Sequence, residues 1–296
     1  MKVLVTGASG LLGWDIADAF QAAGHTVKRL LGRKDVNILD TKAVADCVGS
    51  FAPDLVVHAA GYRDLDDMEQ HPHEGYAINT LGTWNMTLAC RAANCKLIYI
   101  SSDTVFDGEK SDGYHEFDPP CPVNVYGKSK LAAEQVIRSL WEKHFIVRTA
   151  LLFGYKGHRE NSFIYHIVDE LTAGRSISAS EDQICCPSYT ADLAKALVEL
   201  GQTEWYGTYH LTNSGTASRC DISRAVARLA GLDPELVKPA KSSATKIARR
   251  AKNTVFRSLA WPAAFGYELP PWEEALARCW KESQAQETKA LHQDAR

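Results

Sequence analysis

The sequence has no apolar run long enough to cross a membrane; the best stretch, residues 145–153, is broken by Arg148. It also lacks a secretory leader pattern, because only one lysine and Val3-Leu4-Val5 precede a glycine-rich turn. Its eight cysteines, at 47, 90, 95, 121, 185, 186, 220 and 279, form neither a CxxC pair nor a zinc-ribbon spacing. Plain thiols in a reducing, cytoplasmic setting are therefore expected. Cationic excess is missing too. Lys and Arg number 33 against 36 Asp and Glu, a net charge of −3, so no global field exists to hold nucleic acid or an anionic membrane. Repeats and low-complexity tracts are absent, and only the polar tail beyond about residue 282 reads as frayed. With 45% hydrophobic and 23% charged residues among 296, the chain has ample material for a large core. Any anionic partner has to be met by a local site.

What is present is an alternation of strand and helix patterns through the first half. Residues 2–6, KVLVT, read as a buried strand that runs into Gly7-Ala8-Ser9-Gly10-Leu11-Leu12-Gly13 and then a helix to about Ala23. That order suits a dinucleotide. Gly7 permits a tight turn, Gly10 lets backbone approach a pyrophosphate, and Gly13 allows close helix packing, while Ser9, Leu11 and Leu12 bring N–H groups at a helix start. The spacing is GxxGxxG rather than GxGxxG. A second strand, 26–31, is followed by Gly32-Arg33-Lys34, where an acid would select a free ribose 2′-hydroxyl and an arginine accommodates a 2′-phosphate. The basic residue favours NADPH, with NADH as the alternative. Asn37 and Ile38 are placed to contact adenine. A third strand ends in the small residues Ala59, Ala60 and Gly61, against which a nicotinamide nucleotide could lie.

Residues 96–134 carry the chemistry: KLIYISSDTVFDGEKSDGYHEFDPPCPVNVYGKSKLAAE. The run 97–100 is a buried strand that stops at Ser101-Ser102-Asp103, which puts hydroxyls at a strand end. Asn124 can cap a helix on which Tyr126 and Lys130, four apart, share a face. A phenol titrates near ~10, and a fixed cation beside it favours the phenolate, so Lys130 is expected to bring Tyr126 toward proton exchange near neutral pH. That is the general-acid half of a carbonyl reduction, with Ser102 as a second hydroxyl on the same oxygen. Tyr-x-x-x-Lys alone means little; the glycine turn at the other end gives it context.

A fifth strand, 145–149, completes the alternation and predicts an α/β fold: a doubly wound parallel (Rossmann) sheet with a smaller mixed α/β C-terminal substrate-binding part. The dinucleotide-binding domain is expected over 1–155, with 187–215 returning to it, and the substrate part over 156–186 and 216–296. Helices are expected over 74–93, 161–173, 189–200 and 219–229. Asp64, Asp66, Asp67, Glu69, His71 and His73 have metal-ligand chemistry, but acids at a helix start broken by Pro72 suit a solvated helix end better, and no metal is expected. Lys238, Lys241, Lys246, Arg249, Arg250, Lys252 and Arg257 concentrate cations that either meet substrate phosphates or form a solvated surface. His158 and Arg159 read as surface groups.

Taken together, TGASGLLG (6–13), HAAGYRDLDDMEQHP (58–72), SSDTVFDG (101–108), PVNVYGKSK (122–130), VRTALLFG (147–154) and DQICCPSYTADLA (182–194) resemble the extended short-chain dehydrogenases/reductases, and within them the dTDP-4-dehydrorhamnose reductase family. The resemblance covers nearly the whole chain. It implies that Tyr126 donates the proton, that Lys130 binds the nicotinamide ribose and tunes the tyrosine, and that Ser102 orients the carbonyl. It also implies hydride transfer to C4 of a nucleotide-linked 4-keto-6-deoxy sugar, with Asp103, Thr104, Leu151, Cys185 and Arg250 on the substrate side and Arg250 near the diphosphate. Thr104 replaces the tyrosine usual in that family, Leu151 a tryptophan, Cys185 a glycine, and Ala251 a proline. The partner implied is therefore a nucleotide-diphosphate sugar, and a homodimer is left open. The sequence is similar as well to the regulatory beta subunit of methionine adenosyltransferase, through its ISSDTVFDG and YGKSK segments, which implies a dinucleotide-binding partner protein without turnover. A nucleotide-sugar epimerase or dehydratase ranks lower, since dehydratases resembling this pattern carry an Asp-Glu pair where Asp103-Thr104 follows Ser102.

Overall fold

A computed structural model describes the backbone of residues 1–157, 162–242 and 247–294, and the side chains of these as far as residue 286. His158, Arg159 and Lys246 lie outside the described residues. The chain opens with β1 (Lys2–Thr6), α1 (Leu11–Ala22), β2 (Thr26–Leu30), α2 (Thr41–Phe51) and β3 (Leu55–His58). Next come α3 (Leu65–Gln70), α4 (Pro72–Tyr76), a π-helical turn (Ala77–Leu81), α5 (Gly82–Ala92), β4 (Lys96–Ser102), α6 (Val125–Leu140) and β5 (His144–Thr149). The helix expected over 74–93 thus begins at Pro72 and is wound wider for one turn around Asn79. The second half contains β6 (Leu152–Phe153), α7 (Phe163–Thr172), β7 (Ile177–Ser180), β8 (Ile184–Cys185), β9 (Ser188–Tyr189) and α8 (Thr190–Gln202). It ends with β10 (Gly207–His210), β11 (Asn213–Ser214), β12 (Ala217–Ser218), α9 (Arg219–Leu229), β13 (Val237–Ala240), α10 (Ala260–Phe265), β14 (Leu269–Pro271) and α11 (Trp272–Asp294).

Six strands form one sheet in the order β10-β5-β4-β3-β1-β2, every pairing parallel. Alternate residues of these apolar strands serve opposite faces. Val3, Val5, Leu55, Val57, Ile98, Ile100, Phe145 and Val147 pack with α1, α8 and α10. Leu4, Val56, Leu97, Tyr99 and Ile146 pack with α2, α5 and α6. This is the doubly wound arrangement the alternation predicts. A second core gathers α7, α9, α11, β7 and β13 through Ile164, Leu171, Val226, Val237 and Leu276. Trp261 and Leu269, in the stretch expected with the substrate part, instead join the core of the main sheet. The 3.6-residue pattern marks their apolar faces but not which core receives them.

Strand order reverses between β1 and β3, and a doubly wound sheet opens a crevice at the C-terminal strand ends beside such a switch point. Thr6, Ser102 and Thr149, the last residues of β1, β4 and β5, all face the same cleft.

Candidate active site

The cleft encloses about 880 Å³ and is lined by all the residues that the sequence marks as catalytic, cofactor-binding or substrate-binding. At one end lie Gly7, Ser9, Gly10, Leu11, Leu12 and Gly13, with Arg33, Asn37 and Ile38 beyond β2 and Ala59 and Ala60 after β3. Gly7 has φ +67°, and a Cβ there would sit 2.8 Å from the Ala60 nitrogen. Only glycine lets the loop lie this close to the β3 end. A Cβ at Gly13 would overlap the Gly7 carbonyl, so this glycine sets how closely α1 approaches the turn. Gly10 caps α1 without a side-chain bond, which leaves the first N–H groups of the helix directed at the cleft. Donors, dipole and a turn with no room for side chains together fit the pyrophosphate of a dinucleotide.

At the centre stand Ser102, Asp103, Thr104, Tyr126 and Lys130. Asn124 caps α6 by accepting from the Gly127 N–H at 2.8 Å, which fixes the helix start and so the height of Tyr126. Ser102 Oγ donates to Asp103 Oδ1 at 2.9 Å and accepts from Thr104 Oγ1 at 3.0 Å. Thr254 Oγ1 donates to Asp103 Oδ2 at 2.6 Å. Burial raises the Asp103 carboxyl above its ordinary range, with the Thr254 and Ser102 bonds opposing.

The electrostatics differ from the sequence expectation. Burial pushes the Tyr126 phenol up to about 12; the Ser102 hydrogen bond and the Arg63 charge pull it down, the Asp103 charge pushes it up, and Lys130 has no resolved part. The reason is where the lysine points. Lys130 Nζ donates to the Ile100 carbonyl at 2.6 Å and lies 4.3 Å from the centre of the Tyr99 ring. Burial also drives its own pKa down to about 7, with Glu134 opposing, so near neutral pH it is a weakened cation.

The far end of the cleft is lined by Leu151, Phe163, Gln183, Cys185, Arg219 and Arg250. Arg250 donates from Nη2 to Asp66 Oδ1 at 3.0 Å, while its buried Nη1 has no partner among the described residues. Leu151 has φ +29°, an uncommon backbone for a branched residue, at the rim.

The model of the RmlD substrate binding domain family matches residues 1–285. The chain belongs to that family. A dTDP-4-dehydrorhamnose reductase of Mycolicibacterium smegmatis is 36% identical over 279 residues, covering 93% of this chain and 84% of that protein. One from Streptomyces griseus is 35% identical over 280 residues, 92% of this chain and 91% of that one. Among solved structures, dTDP-4-dehydrorhamnose reductase from Bacillus anthracis in complex with NADP superposes with a TM-score of 0.91 at 33% identity, covering 95% and 99% of the two chains. The expected resemblance to extended short-chain dehydrogenases/reductases is borne out.

In this RmlD-family chain the basic cluster does not converge. Of its described members only Arg250 lines the cleft; Arg249 pairs with Glu109 and Arg257 with Asp112 at the surface. The acids of 64–73 are occupied structurally. Asp64 caps α3, Asp66 holds Arg250, Asp67 accepts from Tyr62 and contacts His71, and Glu69 accepts from the Val125 N–H at 2.7 Å. Sequence reasoning passed over Arg63, Gln183, Arg219 and Thr254. Arg219 had one local signal, the Ser218–Asp221 capping box that starts α9 beside it. Among the described residues, the lining cations Arg33, Arg63, Lys130, Arg219 and Arg250 face a single lining carboxylate, Asp103, so this site attracts anions within an acidic chain.

Proposed function

We propose that the protein is an NADPH-preferring reductase acting on the 4-keto group of a nucleotide-linked 6-deoxy sugar, the activity after which its M. smegmatis and S. griseus relatives are named. The carrying observation is the convergence of Ser102, Tyr126 and Lys130 in the same cleft as the glycine turn. When bound, the nicotinamide supplies the hydride. Tyr126, protonated at neutral pH, gives its phenolic proton to the carbonyl oxygen. Ser102, which accepts from Thr104, polarises that oxygen by turning its single hydroxyl proton from Asp103 to the substrate. Lys130, held on the Ile100 carbonyl, is assigned to the nicotinamide ribose rather than to tuning the phenol. Arg33 is assigned to the 2′-phosphate, Asn37 and Ile38 to adenine, and Ala59 and Ala60 to the nicotinamide nucleotide. Thr104, Leu151 and Cys185 are assigned to the sugar, with Arg250 offering its unpartnered Nη1 to the diphosphate. Residues 1–155 with 187–215 then form the dinucleotide side, while 156–186 and 216–296 contribute the substrate side, less the stretch that packs on the main sheet. NADPH oxidation against a panel of 4-keto-6-deoxy nucleotide sugars tests the reading. Turnover with one or more of them is expected; tight NADPH binding with no turnover across the whole panel would overturn it.

A further inference from the structure

The catalytic helix carries a second buried charge that the proposed chemistry does not use. Glu134 is fully buried and stands four residues after Lys130 and eight after Tyr126, on the same face of α6. Its Oε1 accepts from Ser101 Oγ at 2.6 Å and Arg148 Nε at 2.9 Å, and its Oε2 accepts from Arg148 Nη2 at 2.7 Å and Arg138 Nη2 at 3.1 Å. Ser101 precedes the Ser102 of the catalytic set, and Arg148 lies opposite Ser101 on β5. Arg148 is itself 2% exposed, with Nη1 3.3 Å from His210 Nε2 on β10. One carboxylate therefore ties the helix bearing Tyr126 and Lys130 to the strand bearing Ser102.

We propose that Glu134 is a positioning residue of the reductase site: it locks α6 against β4 and supplies the negative charge that keeps the buried Lys130 ammonium in place. The inference rests on the reductase reading for its kinetic consequence, but not for its electrostatic one. The titratable groups that bear on Lys130 are His58 on β3, Tyr99 on β4, and Tyr126 and Glu134 on α6, with Arg148 on β5 bonded to Glu134. Burial holds neutral His58 down at about 3 and raises Tyr99 well above its usual value, while Tyr126 is at about 12. Glu134 stays below the usual carboxylate range, because the Arg148 and Ser101 bonds and the Arg148 and Arg138 charges outweigh a larger burial effect. Between pH 6 and 9, by these values, the group in this set that changes charge is Lys130, and Glu134 is the charge that opposes its neutralisation.

Carbon-13 labelling of lysine side chains, with Lys130 assigned through Lys130→Arg, reads its titration directly in the full chain. Glu134→Gln should move the midpoint about one pH unit lower, and Glu134→Asp should move it less. The alkaline limb of kcat/KM should shift the same way, so activity lost at pH 8 returns at pH 6. A residue that only stabilises the fold would lower activity evenly across pH. If Glu134→Gln fails to fold because Arg148 is left unpaired, Glu134→Asp, which keeps that ion pair, carries the test through its smaller downward shift. An unmoved Lys130 midpoint in a folded variant overturns the inference. Absence of turnover with the midpoint shifted overturns only the reductase reading.

Discussion

At the scale of single residues, the site is governed by desolvation more than by pairwise charge. A phenol at about 12 is an acid held in reserve at neutral pH. Tyr126→Phe should keep NADPH affinity, measured by fluorescence titration, while turnover falls by about 10²- to 10⁴-fold; a wild-type rate would remove Tyr126 from the chemistry. Lys130 has a stability signature of its own. Its folded pKa, about 7, lies below the ordinary lysine value, so between these the unfolded chain binds more protons and stability rises with pH. Burying the ammonium costs most below pH 7. Lys130→Met should therefore stabilise the protein at pH 6, by roughly 2 to 4 kcal/mol, with the gap closing as pH rises toward 10.5 in chemical denaturation. An equal gain at both ends would show that Lys130 carries no burial penalty. The Tyr126 and Lys130 pairing was legible from the four-residue spacing, but the lysine's engagement with Ile100 and Tyr99 was not, since those contacts come from a strand 30 residues earlier.

At the scale of elements, turn and cap chemistry located the site-bearing pieces well. The Asn124 cap, the α1 start after the glycine turn and the α9 start at Arg219 follow from local residues. The π turn at Ala77–Leu81 does not. It brings Asn79 to hold both Tyr62 backbone groups and Ser129 Oγ, joining the loop after β3 to α6. A one-residue widening leaves no mark in a helical period. The contact of α1 with the glycine turn carries the prediction at this level. Gly13→Ala forces a Cβ into the Gly7 carbonyl and should destabilise the fold by about 1 to 3 kcal/mol and weaken NADPH at least about tenfold, read by thermal melting and titration. Unchanged affinity would mean that the loop is not the pyrophosphate cradle.

At the scale of the whole molecule, the described residues of an acidic chain include no helix long and apolar enough to cross a membrane and place five cations around one cleft. If Arg33 marks the 2′-phosphate end of that cleft, Arg33→Ala should raise the KM for NADPH about tenfold or more and change that for NADH little. Equal losses for the two cofactors would remove the phosphate assignment. The alternation of apolar runs with amphipathic helices determined the doubly wound sheet, because each strand must bury two faces and each crossover one stripe. Glycines and caps likewise determined where α1 and α6 begin. Only the tertiary structure decided which of the described cations of the cluster reaches the cleft, that Trp261 returns to the first core, and that Glu134 and Arg148 meet between helix and sheet. Those outcomes depend on contacts between residues far apart in the chain, and local pattern carries no distance between such residues.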